Sequence, residues 1–216
     1  MSSAKLTPQN GFIFRIVHIN NIANILENGM YCQNSENQYP SYRTIGNPDI
    51  IQRRQNRHVP LHPFGTLADY IPFYFTPYSP MLYNIETGYG GITRVSPRDI
   101  IIFVSDLYFL AELRLLFLYT DRHAYLAHAQ YFDNIHQLPN VINWTILQQR
   151  DFRKDPENPE KSEKYQAETL IHNHVPVGAF KGIICYDNEV RGRVCTQCEQ
   201  YNVRIPIHAT NRWYFT

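Results

Sequence analysis

DYIPFYFTPYSPMLY, residues 69–83, carries prolines at 72, 77 and 80 with aromatic side chains set between them. Proline fixes φ and has no N–H to donate, so this stretch admits neither a long helix nor a central strand of more than a few residues. Upstream, FIFRIVHI (residues 12–19) alternates well enough for a strand. Asn20 or Asn21 can then cap a short helix with Ile22, Ile25 and Leu26 on one face, stopped by Gly29. Residues 31–64 are polar, proline-interrupted and aperiodic, and they read as a long loop. Downstream, residues 100–104, 115–120, 182–186 and 201–208 read as strands, and Thr120 or Asp121 is placed to cap a helix running through Asn134. Residues 166–175 fit either period. Short strands with few helices, lacking the regular alternation of a doubly wound sheet, predict an α+β fold.

The 216 residues suit one domain, 1–216. Hydrophobic residues at 44% can fill a core, which excludes a disordered chain. The start, MSSAKLTPQNGFIFRIVHINN, lacks a basic segment followed by an apolar stretch, and no apolar run is long enough to span a membrane. A cytoplasmic protein is expected. Net charge is +1, so no global basic field points to nucleic acid, but 15 of the 20 cations are Arg. Arg presents a rigid fork to phosphates, so a local groove is compatible with overall neutrality.

No GxGxxG, phosphate-binding loop, GxSxG or HExxH sequence is present. Cys195-x-x-Cys198 is half of a zinc ribbon's ligand set, and no second pair follows it, so no metal is expected. Three groups of residues remain. Arg53, Arg54 and Arg57 form a basic knot that would either grip phosphates or simply face water. The aromatics of residues 69–83, Tyr74 among them, could stack on a base or fill a core. Glu168, two residues after Gln166, enters an apolar stretch where a carboxylate is costly to bury unpartnered. In a strand the two share a face, suited to holding a ribose hydroxyl and stabilising a cationic transition state.

These residues resemble the DarT-like DNA ADP-ribosyltransferases, the toxins of DarT/DarG toxin–antitoxin systems. The resemblance rests on VHINNIANILENG (residues 17–29), IQRRQNRHVP (51–60), GTLADYIPFYFTPYSPMLY (65–83), FLYTDRH (117–123), KYQAETLI (164–171) and RWYF (212–215), in the family's order. It implies a PARP-like ADP-ribosyltransferase fold with a split central β-core and peripheral helices. It also implies transfer of ADP-ribose from NAD+ to a base of single-stranded DNA, thymidine in one branch and guanine in a sister branch. Residue by residue, Glu168 and Arg54 match the family's catalytic pair. Arg15, Ile16, Val17, Asn24, Cys32 and Arg54 fall where relatives line the NAD+ pocket, and Tyr74 is taken with them. His123 matches a histidine near the DNA, and Arg53, Tyr78, Met81 and Arg122 are expected beside it. The chain departs from the family pattern with Arg15 for His, Val17 for Thr and Tyr78 for Arg. A macrodomain antitoxin is the implied partner, and a monomer is expected. NAD+ glycohydrolysis without a DNA acceptor, or a nucleic-acid-binding module without activity, are the alternatives.

Overall fold

The computed structural model describes residues 6–215. Met1–Lys5 and Thr216, on which the readings of the chain's start and of its full extent partly rest, lie outside them. In chain order the first half runs β1 (Phe12–His18), α1 (Ile22–Asn28), β2 (Met30–Tyr31), α2 (Pro48–Arg54), β3 (Tyr70–Tyr74) and α3 (Pro80–Thr87). Then follow β4 (Ile100–Asp106), α4 (Leu107–Glu112), β5 (Phe117–Thr120), β6 (Tyr131–Phe132), α5 (Leu138–Val141), α6 (Trp144–Gln149) and α7 (Lys161–Lys164). The chain closes with β7 (Glu168–His172), β8 (His174–Val175), β9 (Gly182–Cys185), α8 (Asn188–Gln200) and β10 (Ile207–Ala209). The fold is α+β, as expected.

Eight strands form a sheet in the order β10-β9-β4-β1-β3-β7-β5-β6, and β2 pairs with β8 separately. β1 pairs with β4 over seven residues, from Phe12↔Asp106 to His18↔Ile100. β3 pairs with β7 over five, ending at Tyr74↔Glu168. Between these two halves β1 and β3 share only Phe14↔Tyr74. Pro72 explains the parting. A residue's N–H and C=O point to the same side of a strand, and the Pro72 carbonyl faces β1, where it accepts a hydrogen bond from Arg15 Nη1 at 3.1 Å. The donor that Pro72 lacks is therefore missing on the β1 side. The sheet opens there, and a guanidinium bridges the gap.

Ile13, Phe14, Phe73, Ile102, Phe103 and Ile183 are fully buried in the main core. The C-terminal segment seals it. Trp213 packs edge-on against Phe14 at 5.3 Å, and the Tyr214 hydroxyl donates to Ile100 O at 3.0 Å. Replacing Trp213 by Ala should cost about 3–5 kcal/mol, seen as a fall in Tm of about 10 °C for a chain of this size.

Several expected elements differ. Residues 121–134 form no helix. Asp121 N–H donates to Gln130 O, Gln130 N–H donates to Asp121 Oδ1, and Tyr119 pairs with Phe132, so the segment closes as a strand pair around a looped tip. The loop of residues 31–64 contains α2, with Asn47 accepting from Asp49 and Ile50 N–H and Pro48 in the first turn. Of residues 201–208 only 207 and 208 are strand, the start of β10, and α8 precedes it. Residues 168–172 resolve as strand. Neither Asn20 nor Asn21 caps α1 with its side chain: a 3-10 turn, capped by the His18 ring, leads into it. Asn21 instead holds the backbone of Arg43, donating to its O at 2.9 Å and accepting from its N at 2.8 Å. That bond fixes the loop before α2 against α1. Among the described residues no helix is long and apolar enough to cross a membrane.

Candidate active site

A cleft of 230 Å³ opens where the sheet parts, lined by Arg15 from β1, Tyr70 and Tyr74 from β3, Arg54 from α2, and Met81 and His123. Cys32, just after β2, lines its other wall. Two guanidiniums therefore enter one mostly apolar space. Arg15 Nε and Arg54 Nη2 are buried and have no hydrogen-bond partner among the described residues. Buried donors are normally satisfied, so this pair of orphans marks where a ligand's oxygens belong.

At the inner end lies Glu168, with no exposed surface. Oε2 accepts from Arg54 Nη1 at 3.0 Å, and Oε1 accepts from Ala124 N–H at 3.2 Å. His123 Nδ1 stands 3.3 Å from Oε1. Burial alone would raise this carboxyl. Arg54, then His123, then the Ala124 N–H outweigh it, and the net effect holds Glu168 below the usual carboxylate range. Burial, aided by Arg54 and opposed by Glu168, lowers the His123 imidazole, which is neutral near pH 7. Tyr74, directly across from Glu168 in the β-ladder, is pushed far up by burial and then by the Glu168 charge, so its phenol stays protonated. Its hydroxyl points to Met81 Sδ at 3.9 Å.

The structure thus brings Arg15, Cys32, Arg54, Tyr74, Met81 and His123 together around Glu168. Burial raises the Cys32 thiol, so it sits there as a small apolar wall and not as a thiolate. Other expected site residues lie elsewhere. The Ile16 and Val17 side chains are buried in the core, and Asn24 is half-buried on α1 away from the cleft lining. Alternation along β1 turns Ile16 away from the side that Arg15 faces, and Val17, on the same side as Arg15, is covered by the core. Arg53 is exposed on α2, one residue from Arg54 and turned outward. Tyr78 is packed at 4.6 Å from Phe215 with the Arg150 guanidinium 5.0 Å above its ring, and its hydroxyl donates to Tyr214 O at 3.2 Å.

Arg122 is committed to carboxylates. Nε pairs with Asp121 at 2.9 Å, and Nη1 with Glu160 at 3.2 Å and Glu163 at 3.3 Å. It ties the end of β5 to the segment leading into β7, and so fixes where Glu168 enters the sheet. Replacing Arg122 by Ala should cost about 1–2 kcal/mol, because Glu160 and Glu163 stay hydrated while the buried end of the clip is lost. Thermal unfolding checks this.

No pattern in the sequence singles out Tyr31, Tyr42 or Asn84, which also line the cleft. Tyr31 ends the two-residue β2, Tyr42 lies on the loop after it and Asn84 on α3, and an abundance of Tyr was the only signal. Among the described residues no group of three or more His, Cys, Asp or Glu side chains could hold a metal ion. Cys198 faces the core from α8, and burial raises its thiol to about 11.

The fold matches Thermus sp. 2.9 DarT in complex with ADP-ribosylated ssDNA, with a TM-score of 0.88 and 31% identity over 97% of this chain and 98% of that one. It also matches Thermus sp. 2.9 DarT in complex with NAD+, at a TM-score of 0.84 and 29% identity over 97% and 100%. A sheet parted over a buried Glu–Arg pair is therefore that of an ADP-ribosyltransferase. The family model described as DarT, ssDNA thymidine ADP-ribosyltransferase, matches residues 14–215. A DNA ADP-ribosyl transferase of Escherichia coli O127:H6 is 47% identical over 214 residues, 99% of this chain and 98% of that protein. The chain belongs to the DarT family.

Proposed function

We propose that this chain, residues 1–216 acting as one domain, transfers ADP-ribose from NAD+ to thymidine in single-stranded DNA and releases nicotinamide. The observation that carries this most directly is the buried Arg54–Glu168 pair behind two unpartnered guanidinium donors, in a chain that belongs to this family. A dinucleotide with a diphosphate and an amide carbonyl supplies the oxygens that Arg15 Nε and Arg54 Nη2 lack.

NAD+ contributes a ribose joined to a good leaving group. Glu168 stabilises the positive charge that grows on the ribose as the nicotinamide–ribose bond breaks and its electron pair leaves with nicotinamide. Because Glu168 is wholly covered, Arg54 must release Oε2 for the ribose to reach it. The Arg54 guanidinium then serves a phosphate or a developing anion and not as a base. A thymine nitrogen bonds the ribose only as its proton leaves. His123 is neutral, lines the cleft and is within reach of Glu168. Its Nδ1 accepts from the Tyr125 N–H at 3.2 Å, so the neutral ring carries its proton on Nε2 and donates it to a thymine carbonyl oxygen, while the proton lost by the thymine nitrogen passes to the freed Glu168 carboxylate. Replacing His123 by Ala should therefore slow transfer to DNA more than it slows hydrolysis of NAD+.

The compartment follows from the substrates, and we place the protein in the cytoplasm as a monomer. A chain that marks genomic bases needs restraint, and a macrodomain that removes ADP-ribose is the expected partner. Nicotinamide release with and without a thymidine-containing single strand tests the proposal. A strong stimulation by DNA is expected. Equal release in both cases would favour a glycohydrolase, and no release would leave a binding module.

A further inference from the structure

Between α2 and β3 the chain makes a short excursion that the cleft does not use. From Gln55 to Thr66 it carries Arg57, His58 and His62 and no carboxylate. The excursion starts where Arg57 N–H bonds Arg54 O at 3.3 Å, directly after the residue that holds Glu168. It is pinned at its far end by Val59 N–H to Gly65 O at 2.9 Å. At the tip Phe64 is 55% exposed and adopts φ +65, a conformation bulky residues rarely take. Two hydrogen bonds and the turn at Gly65 hold it there: its N–H donates to Leu61 O at 2.7 Å, and its own carbonyl accepts from the Tyr70 hydroxyl at 2.7 Å. At Gly65 φ is +81, and an added Cβ would meet the Asp69 carboxylate at 2.6 Å. The His62 ring supports Phe64 edge-on at 6.0 Å.

Beneath this tip lies a small apolar cluster separate from the main core. It comprises Val59, Leu67, Tyr70, Leu118, Ala124 and Leu170, with Leu61, Tyr125 and Tyr131 half-buried over it. The same cluster contains Tyr70, which lines the cleft, and Ala124, whose N–H binds Glu168. An aromatic ring held outward in an unfavourable backbone conformation, on a mount that shares Tyr70 and Ala124 with the active site, is the kind of outlier that points to a contact. Cations lie nearby: Arg53 is exposed on α2, and Arg57 keeps one buried N–H without a partner among the described residues, while the Asp69 carboxylate beside Gly65 is taken up by Asn34 and Thr66.

We propose that Phe64 is a stacking platform for an unpaired base flanking the acceptor in the same single strand, with Arg53 facing the phosphates. This rests on the DNA-transferase reading above and adds a substrate contact outside the cleft. Every base offers a π-face, so the platform binds the strand without demanding a particular neighbour. It raises affinity for longer strands and leaves the chemistry at Glu168 alone.

Steady-state kinetics on long and minimal thymidine-containing oligonucleotides, at saturating NAD+, test it in wild type, Phe64→Ala and Phe64→Trp. Phe64→Ala should raise KM for the long strand about tenfold, the loss of one base–aromatic stack. KM for NAD+, kcat, and KM for the minimal oligonucleotide should be unchanged, and Phe64→Trp should restore long-strand binding. A 2-aminopurine base beside the acceptor should be quenched by wild type and not by Phe64→Ala. An unchanged long-strand KM in Phe64→Ala, or a loss shared equally by all substrates, would overturn the platform and favour a protein contact or a structural ring. Anisotropy of a labelled long strand separates the two claims. If wild type transfers nothing, the proposed function fails, and equal Kd values for wild type and Phe64→Ala would overturn the platform whatever the transfer result.

Discussion

Replacing Glu168 by Gln should lower kcat for ADP-ribose transfer by between about a hundredfold and a thousandfold, the usual effect of removing one preorganised charge from a site that excludes water. Gln has the same shape, so no cavity forms. What goes is the negative charge opposite the developing cation, together with the counter-ion of Arg54, which is only 8% exposed. Stripping one partner from a buried pair costs about 3 kcal/mol, and the variant should melt earlier at neutral pH. The pH dependence has a definite sign. A carboxyl held below its unfolded value favours the folded state above that value, about 4.3, and loses this advantage as pH falls through the folded value. The stability gap between wild type and Glu168→Gln should therefore be constant at neutral pH and shrink in acid below about pH 4. Parallel measurement of kcat on the folded fraction and of Tm separates the two effects. A variant that melts early but turns over normally would remove Glu168 from the chemistry.

Arg54→Gln should produce a comparable loss of turnover by a different route. Without the guanidinium, burial becomes the dominant influence on Glu168, with only His123 and the Ala124 N–H left to oppose it. Its carboxyl then rises above the ordinary range instead of lying below it. In wild type Glu168 is ionised through neutral pH and contributes no acid limb there. In Arg54→Gln the acid limb of kcat/KM should move upward in pH, and part of the lost activity should return on going to alkaline buffer. KM for NAD+ should rise as well, because Nη2 no longer meets the ligand. An acid limb left in place would mean that Arg54 acts on substrate alone and does not hold the glutamate's charge.

How much of this was legible in the sequence depended on whether local chemistry or tertiary contact set each element. β1 was readable from its apolar run, buried on both faces except at Phe12 and Arg15, and the parting of the sheet was implicit in Pro72. α2 had its own signals in Asn47 and Pro48, hidden by the polar stretch around it. α8 buries Val190, Val194 and Cys198 at a spacing of four, a stripe of only three apolar residues in an otherwise polar helix. Residues 121–134 misled because Ala and Leu favour a helix. Asp121 and His123 bond nearby backbone instead, and Tyr131 donates to Ala124 O at 2.6 Å, so side-chain contacts overrode propensity.

Within the site, Glu168 was conspicuous as a carboxylate entering an apolar run, and Arg54 as part of a basic knot. That these two, 114 positions apart, form one buried pair is a tertiary fact no local pattern contains. Arg122 shows the converse. Its neighbours in sequence suggested DNA, while three carboxylates from the β5 end and the turn before β7 claim it.

The most direct test incubates the protein with NAD+ and single-stranded oligonucleotides that contain or lack thymidine, beside Glu168→Gln, and reads oligonucleotide mass. Wild type should add one ADP-ribose unit to thymidine-containing strands alone, with fragmentation placing it on the base, and the variant should add almost none. Unmodified strands after NAD+ has been consumed, or addition by Glu168→Gln at the wild-type rate, would contradict the account.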